Sequence, residues 1–319
     1  MRHLITGVAG FIGSHLADAL LADGDEVAGV DDFSLGKPGH LAAARASERF
    51  RFVEADISET ACAVAAFEAL AGGRPPDVIW HLAASSDIAA GVADPTIDLA
   101  RTLGTTFATI EAAKAIGAPA VAFTSTLAVY GETDRRLSED VGPLLPISSY
   151  GAAKLSSEAW LSAAAESRLA RVWLFRLPNV IGPRVTHGAM HDFAERLAGR
   201  PAALRVLGDG TQTKPYLHVA ELVQAMRFIV ANAAERRNLY NIGPEGDGTP
   251  VSFVAEAMLA RLAPGVPIAY AGGDRGWVGD VPRFSVSTER LARLGWRPTL
   301  SSDDAVLRAA DELAAELVR

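Results

Sequence analysis

"HLITGVAGFIGSHL", residues 3–16, decides how the rest of the chain is read. An apolar run of strand length, "HLIT" (3–6), leads directly into Gly7, Gly10 and Gly13, and a helical pattern follows over 11–23. Glycines permit a sharp turn and a close approach of backbone to ligand, and a helix start offers unpaired N–H groups. A glycine triplet in isolation fits any tight strand–helix turn. Between a first strand and a first helix it reads as a pyrophosphate cradle. The next apolar run, "EVAGVD" (26–31), ends on Asp31, 18 residues after Gly13. A carboxylate there accepts hydrogen bonds from an adenosine ribose and repels a 2′-phosphate, which predicts NAD rather than NADP. The alternative for Asp31 and Asp32 is a pair of turn caps. Asp56 closes "RFVEAD" (51–56), where a side chain reaches an adenine edge or simply caps a turn.

Further outward, "DVIWHLA" (77–83), "AVAFTS" (120–125) and "RVWLFRL" (171–177) read as strands, with helical patterns over 60–71, 96–116 and 150–168 between them. Alternating strands and helices imply a parallel sheet covered on both faces, and right-handed crossovers make it doubly wound. The expected class is α/β. After Arg176 the rhythm breaks: 178–215 is rich in Gly, Pro and Arg, and "LYNIG" and "VPIAYAGG" look like short strands without regular crossovers. The expected division is a dinucleotide-binding domain over 1–177, rejoined by about 217–232, and a smaller domain over 178–319.

The chain has 319 residues, 49% of them hydrophobic, enough for a well-buried core in two domains. A formal charge of −8 argues against a nucleic-acid binder, which carries a basic patch. The chain opens straight into a strand and holds no apolar run of bilayer length, so it is expected to be cytoplasmic. The lone Cys62 fits a reducing compartment. In "ETACAVAAFEAL" it reads as a small helix-packing residue rather than a nucleophile.

Only four lysines occur, and one lies in "SYGAAK" (149–154), where helical geometry puts Tyr150 and Lys154 one turn apart on one face. A surface pair is the ordinary alternative. The pair gains weight from its setting: "TGVAGFIGSHL", "VDDFS", "EADI", "HLAA" (81–84), "GTTFATIEAA", "TSTLAVYG", "SYGAAK", "FRLPNVIGPR", "GDGTQTKPYLHV", "YNIG", "GDVP" and "LGWRP" follow one another nearly end to end. In this order they resemble the extended short-chain dehydrogenases/reductases, in particular the NAD-dependent nucleotide-sugar epimerases and dehydratases. The resemblance implies a Rossmann sheet and a C-terminal substrate-binding domain. It assigns Thr126, Tyr150 and Lys154 to catalysis, and Tyr130 to packing. It places NAD against Gly7, Gly10, Phe11, Ile12, Gly13, Asp31, Asp32, Ser34, Gly36, Asp56, Ile57, Leu82, Ala83, Ala84, Thr124, Tyr150, Lys154 and Pro178. A nucleotide-diphosphate sugar falls to Ser86, Thr126, Asn179, Lys214, Arg275, Trp277 and Asp280. In chemical terms Lys154 and an oxidised nicotinamide lower the pKa of Tyr150 from about 10, making a general base for a sugar hydroxyl.

Departures from the family pattern sharpen the expectation. The dehydratases carry Asp-Glu after the catalytic Thr; here Leu127 and Ala128 stand there, and neither transfers a proton. Reversible oxidation remains, which predicts 4-epimerisation through a 4-keto sugar with NAD recycled in each turnover. The alternatives are a dehydratase, a 4-keto reductase, or a non-catalytic dinucleotide sensor. Lys214-Pro215 replaces the usual Arg-Asp, Trp277 replaces an Arg, and Arg101 replaces an Asn before "GT". Arg275 or Arg184 is the candidate to supply the missing cation. His187 and His191 lack the further ligands a metal requires, so no metal is expected. The resemblance also implies a homodimer formed through the helices near 96–116 and 150–168.

Overall fold

The computed structural model of the chain describes residues 1–276 and 281–317. Its strands are β1 (Arg2–Thr6), β2 (Glu26–Asp31), β3 (Phe50–Glu54), β4 (Val78–His81), β5 (Ala120–Thr126), β6 (Arg171–Leu177), β7 (Asn179–Ile181), β8 (Leu204–Val206), β9 (Thr213–Lys214), β10 (Tyr216–His218), β11 (Arg237–Asn241), β12 (Thr249–Pro250) and β13 (Ile268–Tyr270). The helices are α1 (Phe11–Ala22), α2 (Ala42–Arg45), α3 (Thr60–Ala71), α4 (Ile88–Ala93), α5 (Pro95–Asp98), α6 (Thr105–Ala115), α7 (Ser149–Ser167), α8 (Ala189–Ala198), α9 (Val219–Asn232), α10 (Val251–Leu262), α11 (Glu289–Leu294) and α12 (Ser302–Leu317).

Two compact units result. The first comprises 1–129, 145–176 and 226–240; the second comprises 130–144, 177–225 and 241–319. The first holds a seven-stranded sheet in the order β11-β6-β5-β4-β1-β2-β3. Pairings are parallel at β1–β2, β2–β3, β1–β4 and β4–β5. The chain runs outward from β1 through β2 to β3, then restarts with β4 on the other side of β1. That reversal opens a crevice beyond the carboxyl ends of β1 and β4, where open α/β sheets bind their ligands. The doubly wound α/β class expected from the strand–helix rhythm is what forms.

Burial explains the strand composition. Leu4, Val30, Ile79, Val121, Phe123, Val172 and Leu174 of the sheet pack with Phe67 and Leu70 of α3, alanines of α6, and Leu161 of α7 in one core cluster. Each fully buried Leu or Phe contributes roughly 1.5–3 kcal/mol. The alanines let α3 and α6 approach each other closely.

Three local expectations change. The helix expected over 96–116 is interrupted: Asp94 caps α5 by accepting from Thr96 N (3.0 Å), Pro95 starts it, and a π-helical turn spans Leu99–Gly104 before α6. "LYNIG" does not stand apart from the main sheet, because Arg237–Asn241 is its edge strand beside β6. Cys62 is exposed: the buried stripe of α3 is Ala63, Ala66, Phe67, Leu70 and Ala71, and position 62 falls off it.

The second unit contains three two-stranded pairings, β7–β10 and β8–β13 parallel and β9–β12 antiparallel, together with α8, α10 and α12. Residues 130–144, placed by sequence with the first domain, cluster here.

Candidate active site

The crevice is lined first by the glycine turn. Gly7 takes φ +69°, the left-handed region that favours glycine, and a Cβ there would lie 2.9 Å from Ala83 N. A Cβ on Gly13 would overlap Gly7 O, so α1 can start tight against the loop only with glycine at that position. Gly10 is the N-cap of α1 and provides no side-chain cap, leaving the helix start open to an anion. Thr6 fixes the opposite wall by accepting at Oγ1 from Leu82 N (3.2 Å) and Ala83 N (3.1 Å). Ala84 follows in the same segment, and Ser86 is part-buried beyond it.

Asp31 ends β2 beside this turn. Its carboxylate accepts from Ala9 N and Phe33 N, each at 2.9 Å, and burial pushes its pKa above the ordinary range against those two donors. Two backbone bonds orient the group while leaving lone pairs for a ribose. Gly36 lies so close that a Cβ would come within 2.8 Å of Asp31 Oδ1. Asp32 accepts from Ser34 N (2.9 Å) and Ser34 Oγ (2.6 Å) and pairs with Arg101 at 3.4 Å. Asp56 accepts from Ser58 N (2.8 Å), which holds its carboxyl below the usual range. Ile57 is a core residue and Phe11 is nearly buried. A short uncapped helix start, a glycine-only turn and an oriented carboxylate together fit a dinucleotide.

The chemical pair lies on α7. Ser148 starts that helix by accepting from Gly151 N (3.1 Å), which places Tyr150 and Lys154 on its first two turns. A Cβ on Gly151 would sit 2.9 Å from Ala128 O, so glycine lets the helix start close onto the turn that follows Thr126. Thr126 ends β5 and its Oγ1 accepts from Ala128 N at 3.2 Å. Lys154 is 2% exposed; its Nζ donates to Thr124 O at 2.7 Å and lies 4.6 Å from the Phe123 ring and 5.8 Å from the Tyr150 ring. Lys154 thus lies beside Thr124 and Tyr150 in the first unit, and the start of α7 closes onto the turn that follows Thr126.

Electrostatics show what the protein alone contributes to the base. Burial, then Asp98, pushes the Tyr150 phenol well above its ordinary value. Burial lowers Lys154 to about 7, opposed by Asp98 and Glu158. The lysine by itself therefore does not make a phenolate here, since desolvation penalises both charged forms.

Residues unassigned by sequence support the pair. Glu158 of α7 meets Arg176 of β6 in a bidentate ion pair (3.0 and 2.7 Å), both nearly buried, and Ser125 Oγ donates to Glu158. An arginine inside the apolar run "RVWLFRL" was the available signal, because a buried guanidinium requires a partner. His81 shares hydrogen bonds with Thr6 (2.8 Å) and Thr106 (3.0 Å); burial, then Lys154, lowers its pKa to about 3, so it is neutral.

Of the substrate-side expectations, Ser86 and Thr126 belong to the first unit, and Asn179, Lys214 and Arg275 to the second. Asn179 is exposed, with its backbone N–H donated to Pro215 O (3.2 Å). Pro178 packs beside Gly243. Lys214 is 6% exposed, donates to Val281 O and lies 5.3 Å over the Phe284 ring. Arg275 is half-exposed and paired with Glu132 at 2.7 Å. The backbone N–H of Arg184 donates to Glu316. Tyr130 is buried, its hydroxyl donating to Asn241 Oδ1 at 2.8 Å, a packing role. Trp277 and Asp280 lie outside the described residues.

Comparison with known proteins is consistent with this geometry. A UDP-glucose 4-epimerase of Mycolicibacterium smegmatis is 32% identical over 98% of both chains. A crystal structure of a UDP-galactose 4-epimerase superposes with a TM-score of 0.85 at 31% identity, covering 99% of this chain and 100% of the other. The Thermus thermophilus UDP-glucose 4-epimerase in complex with NAD gives 0.84 at 29% identity, covering 98% and 99%. The model of the NAD dependent epimerase/dehydratase family matches residues 3–243, and the chain belongs to that family.

Proposed function

We propose that the protein is an NAD-dependent nucleotide-sugar 4-epimerase, with a UDP-hexose as the first substrate to test. The observation that carries this reading is local. Tyr150 and Lys154 lie on the first turns of α7, whose start closes onto the turn after Thr126, and the two positions after Thr126 hold Leu127, which is buried, and Ala128, so no acid–base group follows the threonine. Proton chemistry at C5 or C6 has no agent at these positions, whereas alcohol oxidation at C4 needs one base. The names of the relatives, UDP-glucose and UDP-galactose 4-epimerases, support the same choice.

Each residue then has a defined task. Gly7, Gly10 and Gly13 leave room for the pyrophosphate at the start of α1, and Asp31 accepts from the adenosine ribose. When bound, oxidised NAD supplies a positive ring that favours the Tyr150 phenolate and an acceptor for hydrogen from the sugar carbon. Tyr150 takes the C4 hydroxyl proton and returns it after the 4-keto sugar has turned its other face. Thr126 holds the reacting oxygen by hydrogen bond, and Lys154, anchored to Thr124 O, holds the nicotinamide ribose. Asn179 and Arg275 serve the sugar nucleotide. The lone cysteine fits a cytoplasmic setting.

The working unit is a homodimer formed through α6 and α7. Phe107 and Trp160 are 39% and 49% exposed and meet edge-to-face at 5.3 Å, an aromatic pair for a second copy to cover.

The test is proton NMR of UDP-glucose incubated with the purified holoenzyme and no reductant. A second anomeric signal is expected, and Tyr150→Phe reduces its rate by at least about 100-fold. Water loss from the sugar, or dependence on added NADH, contradicts the reading.

A further inference from the structure

One buried charge near the pair has no evident task. Asp98 ends α5 at 1% exposure, and neither carboxylate oxygen makes a well-formed hydrogen bond, because the Ser149 hydroxyl beside them gives its proton to Gly91 O. A carboxylate desolvated without well-formed donors is costly to keep, and fixed structural carboxylates normally have them. Its surroundings are tight. A Cβ on Gly91 would overlap Asp98 Oδ2 and come within 3.3 Å of Ser149 Oγ, whose hydroxyl donates to Gly91 O at 2.9 Å. The carboxylate is therefore pressed between α4 and the first residue of α7, next in sequence to Tyr150.

The charged groups around it are few. From the start of α4 comes Asp87, and from α7 come Tyr150 and Lys154. Lys154 in turn feels Glu158, which Arg176 neutralises from β6, and the neutral His81 of β4. Among the described residues, Lys154 is the cation that acts on Asp98.

We propose that Asp98 is a positioning residue for the reaction: held against Gly91 and Ser149, its negative charge sets the protonation of the Tyr150–Lys154 pair, so that the base forms only when cofactor is bound. This rests on the assignment of Tyr150 as the base. The electrostatics agree in direction. Asp98 raises Tyr150 and opposes the lowering of Lys154 by burial. Burial raises Asp98 itself, while Ser149 and Lys154 pull it back. Removing the negative charge lowers the pKa of both partners, so the acid limb of activity, which reports formation of the base, moves to lower pH.

The test compares pH profiles of kcat for the wild-type, Asp98→Asn and Gly91→Ala holoenzymes, with Tyr150→Phe in parallel. Phenolate absorbance, taken as the difference from Tyr150→Phe, follows the same ionisation independently of turnover. The expected result is an acid limb shifted down by about one pH unit in Asp98→Asn, equal to about tenfold more activity on that limb. Gly91→Ala, which displaces the carboxylate without deleting it, shifts the limb the same way by less and serves if the asparagine variant does not fold. An unmoved limb and phenolate titration, with Tyr150→Phe inactive, overturn the proposal alone. Epimerisation that survives in Tyr150→Phe overturns the base assignment and the proposal with it.

Discussion

At the scale of the residue, the site depends on ionisable groups kept away from water by specific partners. Lys154 gives a donor to Thr124 O, and Arg176 and Glu158 satisfy one another at two points. Such a pair contributes little compared with well-packed apolar groups, but breaking it strands a charge. Arg176→Met should therefore destabilise the first unit by about 3–5 kcal/mol, read as a lower urea midpoint at unchanged slope. A midpoint within error of wild type would mean that Glu158 finds another partner. Tyr150 and Lys154 were legible in the sequence because helix geometry fixes an i, i+4 spacing. Asp98 was not, since it meets Gly91 and Ser149 only through the packing of α4 and α5 against α7. The contact of Lys214 was hidden for a related reason: nothing in "QTKPY" announces that its ammonium donates to Val281 O.

At the scale of the element, glycines decide how closely helices approach what they serve. Gly13 lets α1 begin against Gly7 O, and Gly151 lets α7 begin against Ala128 O. Gly13→Ala should push the helix start off the loop and abolish retention of NAD. Isothermal titration of apo protein with NAD checks it: at least about tenfold weaker binding is expected, together with a lower melting temperature from the same overlap. Undiminished affinity would remove α1 from the cradle. The strands and long helices could be anticipated from periodicity. The π-helical turn at Leu99–Gly104 could not, because an extra residue per turn leaves the composition helical. Cys62 was misassigned because an alanine-rich helix hides its buried stripe, as almost any position there is small enough to pack.

At the scale of the whole molecule, the strands β1 to β6 were legible in the sequence, but their order in the sheet and its seventh strand, β11 beside β6, required tertiary contacts. The proposed dimer belongs to this scale. Trp160→Glu should convert a dimer to a monomer by light scattering, since a charge on a desolvated aromatic contact has no partner there; an unchanged mass would place the interface elsewhere. The central claim, reversible oxidation at one sugar carbon with Tyr150 as base, is tested most directly by incubating UDP-glucose with the holoenzyme in heavy water and following the sugar by proton NMR. The account predicts the 4-epimer with its C4 hydrogen fully retained and no deuterium at C3 or C5. Deuterium entering the ring, or product formed equally by Tyr150→Phe, would contradict it.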